Sequence, residues 1–324
     1  MKRILITGAG GFIGHHLVKI LKAQGNTVMG VDLKNPEFEE TAADYFDIVD
    51  LRKADDAAAI VRAAKPDEIY NLAADMGGIG YITANLAGIA RNNTLININM
   101  LDAAVTQGVK KFLFSSSACV YNQDLQRDAN VTPLKEEDAY PALPERGYGW
   151  EKLYAEELCQ YYQKDYGLDC RIVRFHNVYG PLGTFDGGKE KSPAALCRKI
   201  AIAKKRGQDT IEVWGDGKQT RSYMYVDDCT EGLIRLMASD YSKPLNLGTD
   251  ELWTIDELAD EIAQIADMTV FLKHDTTKPQ GVRGRNSDNR LLNKILGWEP
   301  SIMLKRGLVP TYEWIEKQVF KGAY

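Results

Sequence analysis

Between an apolar run, Arg3–Thr7, and a stretch with helical spacing, Ile13–Gln24, the sequence reads Thr7-Gly8-Ala9-Gly10-Gly11-Phe12-Ile13-Gly14. No other segment constrains the fold as tightly. Gly8, Gly11 and Gly14 have the spacing GxxGxxG. Glycine permits a tight turn and lets the backbone approach a pyrophosphate, whose charge then rests on the helix N-terminus. A glycine triplet alone is compatible with an ordinary loop, and the flanking strand and helix give this one its meaning. Asp32 ends the next strand, 18 residues beyond Gly14. A carboxylate there accepts hydrogen bonds from ribose hydroxyls and repels a 2′-phosphate, so the turn is expected to hold NAD rather than NADP.

The first half alternates short apolar runs with helical patterns. Arg3–Thr7, Thr27–Asp32, Glu68–Ala73, Lys111–Ser115 and Arg171–Phe175 read as strands buried on both faces. Ile13–Gln24, Asp55–Ala64, Asn92–Gln107 and Tyr148–Asp165 read as helices, the last stopping at Gly167. Such repetition predicts an α/β fold, a doubly wound parallel sheet of Rossmann type. After Tyr179-Gly180-Pro181 the glycine, proline and lysine of Gly183–Pro193 mark a loop leaving the sheet. The chain is expected to return around Tyr223–Leu236 and Asn246-Leu247-Gly248, and Thr254–Ala266 reads as a helix beyond. The expected division is therefore 1–177 plus about 222–248 as the NAD-binding domain, and about 178–221 plus 249–324 as a smaller C-terminal substrate-binding lobe.

Composition excludes several classes. A formal charge of −5 gives no general attraction for nucleic acid or an anionic membrane, so any phosphate site must be local. The five cysteines lack CxxC or zinc-site spacing, which points to a reduced, cytoplasmic protein. With four histidines, two of them adjacent, a histidine-based metal site is not expected. The opening apolar run stops after Ile6 and reads as a strand rather than a signal peptide, and no stretch of about 18 apolar residues reads as a membrane span.

Tyr148 and Lys152 stand four apart on a helix, hence on one face. On its own such a pair is commonly just a solvated helix surface. A nearby ammonium and an oxidised nicotinamide both favour a phenolate, which could take a hydroxyl proton while hydride leaves for NAD. Together with the glycine turn and Ser115-Ser116-Ser117, the pair acquires a chemical meaning.

Gly8–Gly14, Ser115–Tyr121, Tyr148–Lys152, Arg174–Pro181 and Gly215-Asp216-Gly217 with Arg221 and Val226-Asp227 resemble the extended short-chain dehydrogenase/reductases that act on nucleotide sugars. Within them, Ser117–Tyr121, Arg174–Pro181, Gly187–Pro193, Trp214–Ser222, Gly281–Asp288 and Ala74–Gly78 resemble the GDP-mannose 3,5-epimerase family. In the superfamily's 4,6-dehydratases the positions of Ala118 and Cys119 are Asp-Glu, so elimination of water would lack its acid and base here. The resemblance implies transient oxidation at C4, with hydride passing to bound NAD and back, and Tyr148, Lys152 and Ser117 at the reacting hydroxyl. The ketone acidifies C3 and C5, where Cys119 and Lys191 match the acid–base pair. Inversion at both carbons turns GDP-D-mannose into GDP-L-galactose, and inversion at C5 alone gives GDP-L-gulose.

The same resemblance implies the remaining contacts. Gly8, Gly11, Phe12, Ile13, Gly14, Asp32, Ala73, Tyr148 and Lys152 would hold NAD, with Asp50 and Leu51, after the third strand of such a sheet, beside its adenine. Gly77, Ser117, Ala118, Cys119, Asn177, Glu190, Lys191 and Ser192 would hold the sugar and phosphates. Lys199, Gln219, Arg221, Arg285 and Ser287 would surround the diphosphate and nucleoside, where an arginine fork grips phosphate well. Phe185 stands where the resemblance leads one to expect tryptophan. A homodimer joined through helices 92–107 and 148–165 is implied, with Tyr154, Tyr161 and Tyr162 serving either the core or the interface. A 4-epimerase or heptose-nucleotide epimerase is the rival if Cys119 and Lys191 do not face one sugar. A lyase is disfavoured by Ala118-Cys119, and a non-catalytic NAD-binding regulator by the retained Tyr–Lys pair.

Overall fold

Along the first strand, Ile4 and Ile6 face one hydrophobic cluster and Leu5 another. An apolar run buried on both sides needs cover on both sides, and the chain supplies it with helices. In the computed structural model, which describes residues 1–322, the first half runs β1 (Arg3–Thr7), α1 (Phe12–Ala23), β2 (Thr27–Asp32), β3 (Tyr45–Ile48), α2 (Ala54–Ala64), β4 (Glu68–Asn71), α3 (Ile79–Ala84), α4 (Leu86–Thr106), β5 (Lys111–Ser117), α5 (Tyr148–Tyr166) and β6 (Asp169–Phe175). The second half runs β7 (Asn177–Tyr179), α6 (Ser192–Arg206), β8 (Thr210–Trp214), β9 (Thr220–Arg221), β10 (Tyr223–Tyr225), α7 (Val226–Ala238) and β11 (Pro244–Leu247). It ends with β12 (Trp253–Thr254), α8 (Ile255–Ile265), β13 (Phe271–Asp275), β14 (Gly284–Arg285), α9 (Arg290–Leu296) and α10 (Leu304–Lys321).

Seven parallel strands form the main sheet in the order β11-β6-β5-β4-β1-β2-β3. The fold class is the expected Rossmann-type α/β arrangement. Growth of the sheet reverses between β1 and β4, so a crevice opens at their carboxyl ends, beside Thr7 and Asn71. On one face, Ile69, Phe112 and Ile172 pack against Ile60 and Val61 of α2, Met100 of α4 and Ala155 of α5. On the other, Ile6, Leu113 and Val173 pack against Leu17 of α1 and Leu233 of α7, in a cluster that continues into α6, α8 and α10. Three small sheets lie outside: β10 with β7, β12-β9-β14, and β13 with β8.

β1 and β2 have the expected bounds, and α5 and α8 come within a residue of theirs. Thr254 caps α8, accepting from the Glu257 amide at 3.0 Å while Glu257 accepts from the Thr254 amide at 2.8 Å, a capping box spelled out by T-x-x-E. Other boundaries moved. β4 ends at Asn71, two residues before the expected Ala73, and α4 begins at Leu86 rather than Asn92. The early turns of α4 place Leu86 and Ile89 three apart, Leu86 against Gly147 and Ile89 buried beside Tyr148. Among the described residues, no helix is long and apolar enough to cross a membrane.

Helix α10 packs along α6, whose N-terminus follows directly on Lys191. Ile315 is fully buried in that contact. Ile315→Ala is expected to destabilise the protein by about 2–5 kcal/mol through the cavity it leaves, read as a lower urea midpoint.

Candidate active site

The turn after β1 is shaped by what it cannot accommodate. Gly8 has φ +69°, and a Cβ there would lie 2.9 Å from the Ala73 amide nitrogen. A Cβ on Gly14 would lie 2.2 Å from the Gly8 carbonyl oxygen, so α1 seats directly on the turn. Asp32 closes the turn from the end of β2, accepting from the Gly10 amide at 3.0 Å and the Leu33 amide at 2.6 Å. Burial raises its pKa and those amides oppose the rise. Ala73, beyond β4, donates its amide to Thr7 Oγ1 at 3.1 Å. A cradle of main chain closed by a carboxylate fits a dinucleotide carrying free ribose hydroxyls. Asp50 is already paired with Arg52 (2.7 and 2.9 Å), and Leu51 is buried in the core under α4.

Beyond the carboxyl end of the sheet lies a cleft of about 420 Å³. Ile13, alone of the turn residues, lines it; Phe12 instead packs against His16 and Gly183. β5 delivers Ser117, Ala118 and Cys119 to the cleft, and the N-terminus of α5 delivers Tyr148. Lys152, one turn further, lies behind them, fully buried, donating from Nζ to the Ser115 carbonyl at 2.9 Å, with Nζ 5.6 Å from the centre of the Tyr148 ring. Burial draws the lysine below its ordinary value and the Glu151 carboxylate opposes this. Burial also pushes the Tyr148 phenol well above its ordinary value, and the Ser117 hydroxyl pulls it down. Ionising that phenol therefore requires positive charge, from Lys152 and from whatever binds beside it.

The opposite wall comes from the second half of the chain. Lys191 caps α6 with extended backbone and lines the same cleft as Cys119. Its loop is tied to the first half: the Gly78 amide donates to the Lys189 carbonyl at 3.0 Å, and Lys189 Nζ lies 3.3 Å from Asp75 and 4.0 Å over the Tyr81 ring. Glu190 is held by Arg198 at 2.9 Å, and the Ser192 hydroxyl pairs with that of Tyr223 at 2.8 Å. Burial pushes the Cys119 thiol up, helped by Glu145 and opposed by Arg285, Ser117 and Lys191. Burial draws the Lys191 ammonium down, with Cys119 and Cys229 opposing. At rest, sulfur is thus driven to hold its proton and nitrogen to lose one: a donor and an acceptor in one cavity.

Arg221 and Arg285 are partners in the β9–β14 register. Burial, then the neighbouring Arg285, bring Arg221 down to about 10. Arg285 has a carboxylate partner in Glu145 at 2.6 Å, whereas Arg221 bonds to main-chain carbonyls, so its charge beside the cleft suits an anion. Gln219, Asn177, Gly77 and Lys199 line the same cleft. Gln219 donates to the Trp214 carbonyl at 3.0 Å, leaving its own oxygen without a partner among the described residues. Asn177 donates to the Ser222 carbonyl at 3.2 Å, and Lys199 to the Glu212 carbonyl at 2.7 Å. Ser287 is not brought to this surface: it is fully buried in the wall behind, bridged to Leu134, its hydroxyl unpartnered among the described residues. Phe185 packs against Phe38 and Trp314.

Sequence reasoning missed Glu145, which lines the cleft, and Gln126, which lies behind it against Arg285, and it named Trp214 only as the start of a family-like segment. Glu145 sits three residues before Tyr148, and its position gave the only available signal; its partner Arg285 lies 140 residues away. Gly14→Ala is expected to release bound NAD, because the added methyl group collides with the Gly8 carbonyl; nucleotide freed by acid from the purified variant should fall to a small fraction of the parent's.

Residues 4–248 match the model of the NAD dependent epimerase/dehydratase family. GDP-mannose 3,5-epimerase 1 of Oryza sativa subsp. indica is 48% identical over 98% of this chain and 83% of its own length. GDP-mannose 3,5-epimerase of Arabidopsis thaliana is 46% identical over the same shares. UDP-glucuronic acid decarboxylase 2 of Arabidopsis thaliana is 30% identical over 98% of this chain and 69% of that protein. Among solved structures, the UDP-glucose 4-epimerase of Thermotoga maritima superposes with a TM-score of 0.88 at 27% identity, covering 98% of this chain and 99% of that one. Glycine turn, Tyr–Lys pair, sheet order and these likenesses agree: the chain belongs to the NAD dependent epimerase/dehydratase family.

Proposed function

We propose that this NAD-dependent isomerase converts GDP-D-mannose to GDP-L-galactose, and to GDP-L-gulose when C5 alone inverts. The observation that carries the reading is the opposed pair, Cys119 held toward thiol and Lys191 toward amine, in the cleft that Tyr148 also lines. A simple 4-epimerase has no use for that pair. The likeness to GDP-mannose 3,5-epimerases over nearly the whole chain supports the choice of sugar and nucleotide.

Bound NAD supplies a reversible hydride acceptor at C4. Tyr148 takes the C4 hydroxyl proton, with Lys152 stabilising the phenolate and Ser117 orienting the hydroxyl. The C4 ketone then delocalises the electron pair left at C5 or C3 as an enolate. Lys191 removes the proton on one face and Cys119 returns one on the other, or the two exchange roles at the second carbon. Arg221 and Arg285 balance the diphosphate, with Lys199 and Gln219 toward the nucleoside. Gly77, Ala118, Asn177, Glu190 and Ser192 shape the sugar pocket. Ser287 supports this wall from behind.

In this reading, residues 1–177 with about 222–248 hold NAD and the remainder holds the nucleotide sugar. The protein works as a homodimer through α4 and α5, a reading supported by Trp150, Tyr154 and Tyr161, each at least half exposed on α5. Cytoplasmic residence is supported by five free cysteines.

In deuterated water, the protein as purified should exchange deuterium into C3 and C5 of GDP-mannose and produce GDP-L-galactose, followed by NMR. Absence of exchange even with NAD added would overturn the substrate assignment. Cys119→Ala and Lys191→Ala should each lower kcat by about 10²–10⁴-fold, the usual weight of a positioned acid or base.

A further inference from the structure

Arg285 is a buried side chain whose guanidinium is held on three sides by three separate segments. Its Nε donates to Gln126 Oε1 at 2.6 Å, its Nη2 to Glu145 Oε1 at 2.6 Å, and its Nη1 points at Cys119 Sγ from 3.6 Å. Three of an arginine's five N–H donors are thereby committed within the protein. An arginine serving only a diphosphate would direct its fork outward; this one is anchored by two oxygens so that a third edge meets a sulfur.

The frame around the contact is rigid. The Glu145 amide donates to the Cys119 carbonyl at 2.9 Å. A Cβ on Gly149 would lie 2.3 Å from that same carbonyl, so the start of α5 is packed onto the backbone of Cys119. Glu145 and Cys119 therefore keep a constant spacing, and the guanidinium spans it. Without the carboxylate, Arg285 would face Arg221, its partner in the β9–β14 register, with no counter-charge, and repulsion would move it off the sulfur.

We propose that Glu145 is a positioning residue for the reaction: its carboxylate clamps the Arg285 guanidinium against the Cys119 sulfur. This rests on the reading that Cys119 exchanges protons with the sugar. The clamp acts in two opposed ways. It presents a fixed positive edge to the sulfur whenever a thiolate forms, and its own negative charge favours the thiol. The charged and titratable groups around the sulfur are Glu145 ahead of α5, Tyr148 and Lys152 on α5, Lys191 ahead of α6 and Arg285 on β14, with Arg221 on β9 beyond. Carboxylate and guanidinium act on the sulfur in opposite directions, the first favouring the thiol that gives its proton to a carbanion and the second the thiolate left behind.

The test is alkylation of Cys119 by iodoacetamide from about pH 6 to pH 10, read by mass spectrometry of its peptide in NAD-containing protein as purified. The other four cysteines are buried. Glu145→Gln keeps an acceptor for Arg285 and removes the charge, so its profile should move to lower pH. Glu145→Ala also frees the guanidinium, so kcat on GDP-mannose should fall about tenfold or more, the kinetic weight of a charge-assisted contact. The fall in kcat should exceed any rise in KM, and Glu145→Gln should recover much of the loss. A Glu145→Gln profile superimposed on the parent's, or a Glu145→Ala kcat equal to the parent's, overturns the proposal. Should Glu145→Ala lose its circular dichroism, the isosteric Glu145→Gln profile decides alone. Alkylation needs no sugar, so this outcome stands apart from whether GDP-mannose is the substrate.

Discussion

A side chain at position 14 would occupy the place of the Gly8 carbonyl, and much of the molecule follows from that exclusion. Because α1 rests directly on the turn, its first amides converge where β1 ends, and β4 diverges from the same point to the other side. The crevice this creates is the natural site for a dinucleotide. The cleft then takes its floor from β5 and the start of α5, the elements that follow on the β4 side. Tyr148 and Ser117 reach it because parallel strands all present their carboxyl ends to one edge.

A chain of hydrogen bonds, buried from Thr7 to Glu151 and more open beyond Asp75, carries that geometry into the second half. Thr7 donates to Asn71 at 2.8 Å, Asn71 to Asn97 at 3.1 Å, and Asn97 to Glu151 at 2.7 Å. Asn93 reaches Glu151 at 3.2 Å and accepts from the Asp75 amide at 2.6 Å. Asp75 in turn accepts from Tyr81 at 2.7 Å and pairs with Lys189. The path leads from the first strand, through α4 and α5, to the loop that bears Lys191. A polar network this well satisfied rigidifies what it joins, since breaking one member leaves others buried without partners. Its physical effect is to hold the loop base and the turn in one frame.

Protonation in the cleft is set chiefly by removal from water. Burial lifts Tyr148 and Cys119 and lowers Lys152 and Lys191, so each group is pressed toward its neutral form. For the two lysines this moves titration toward neutral pH, whereas Tyr148 and Cys119 move away from it and depend on neighbouring positive charge to ionise. Arg285 is already balanced by Glu145, so Arg221, which holds its charge at neutral pH, supplies the cleft's local attraction for an anion in a chain whose overall charge is negative.

Much was legible in the sequence where chemistry is local. The turn, Asp32, the Tyr148–Lys152 spacing and the bounds of β1 and β2 all depend on residues within a few positions of one another, and period and glycine placement report these directly. Cys119 and Lys191 were nameable by resemblance, but sequence carries no statement of distance, and their sharing of one cleft is a property of the folded chain. The same holds for Arg285, expected beside phosphate and found also against a sulfur, and for Ser287, which lies behind the wall rather than on it. Glu145 meets Arg285 across 140 residues, and that contact is created by loop closure and packing, to which no periodicity points. The sequence by itself determined the sheet, the turn and the chemical inventory; only the tertiary structure decided which charges are buried together, because burial and proximity exist only once the chain has folded.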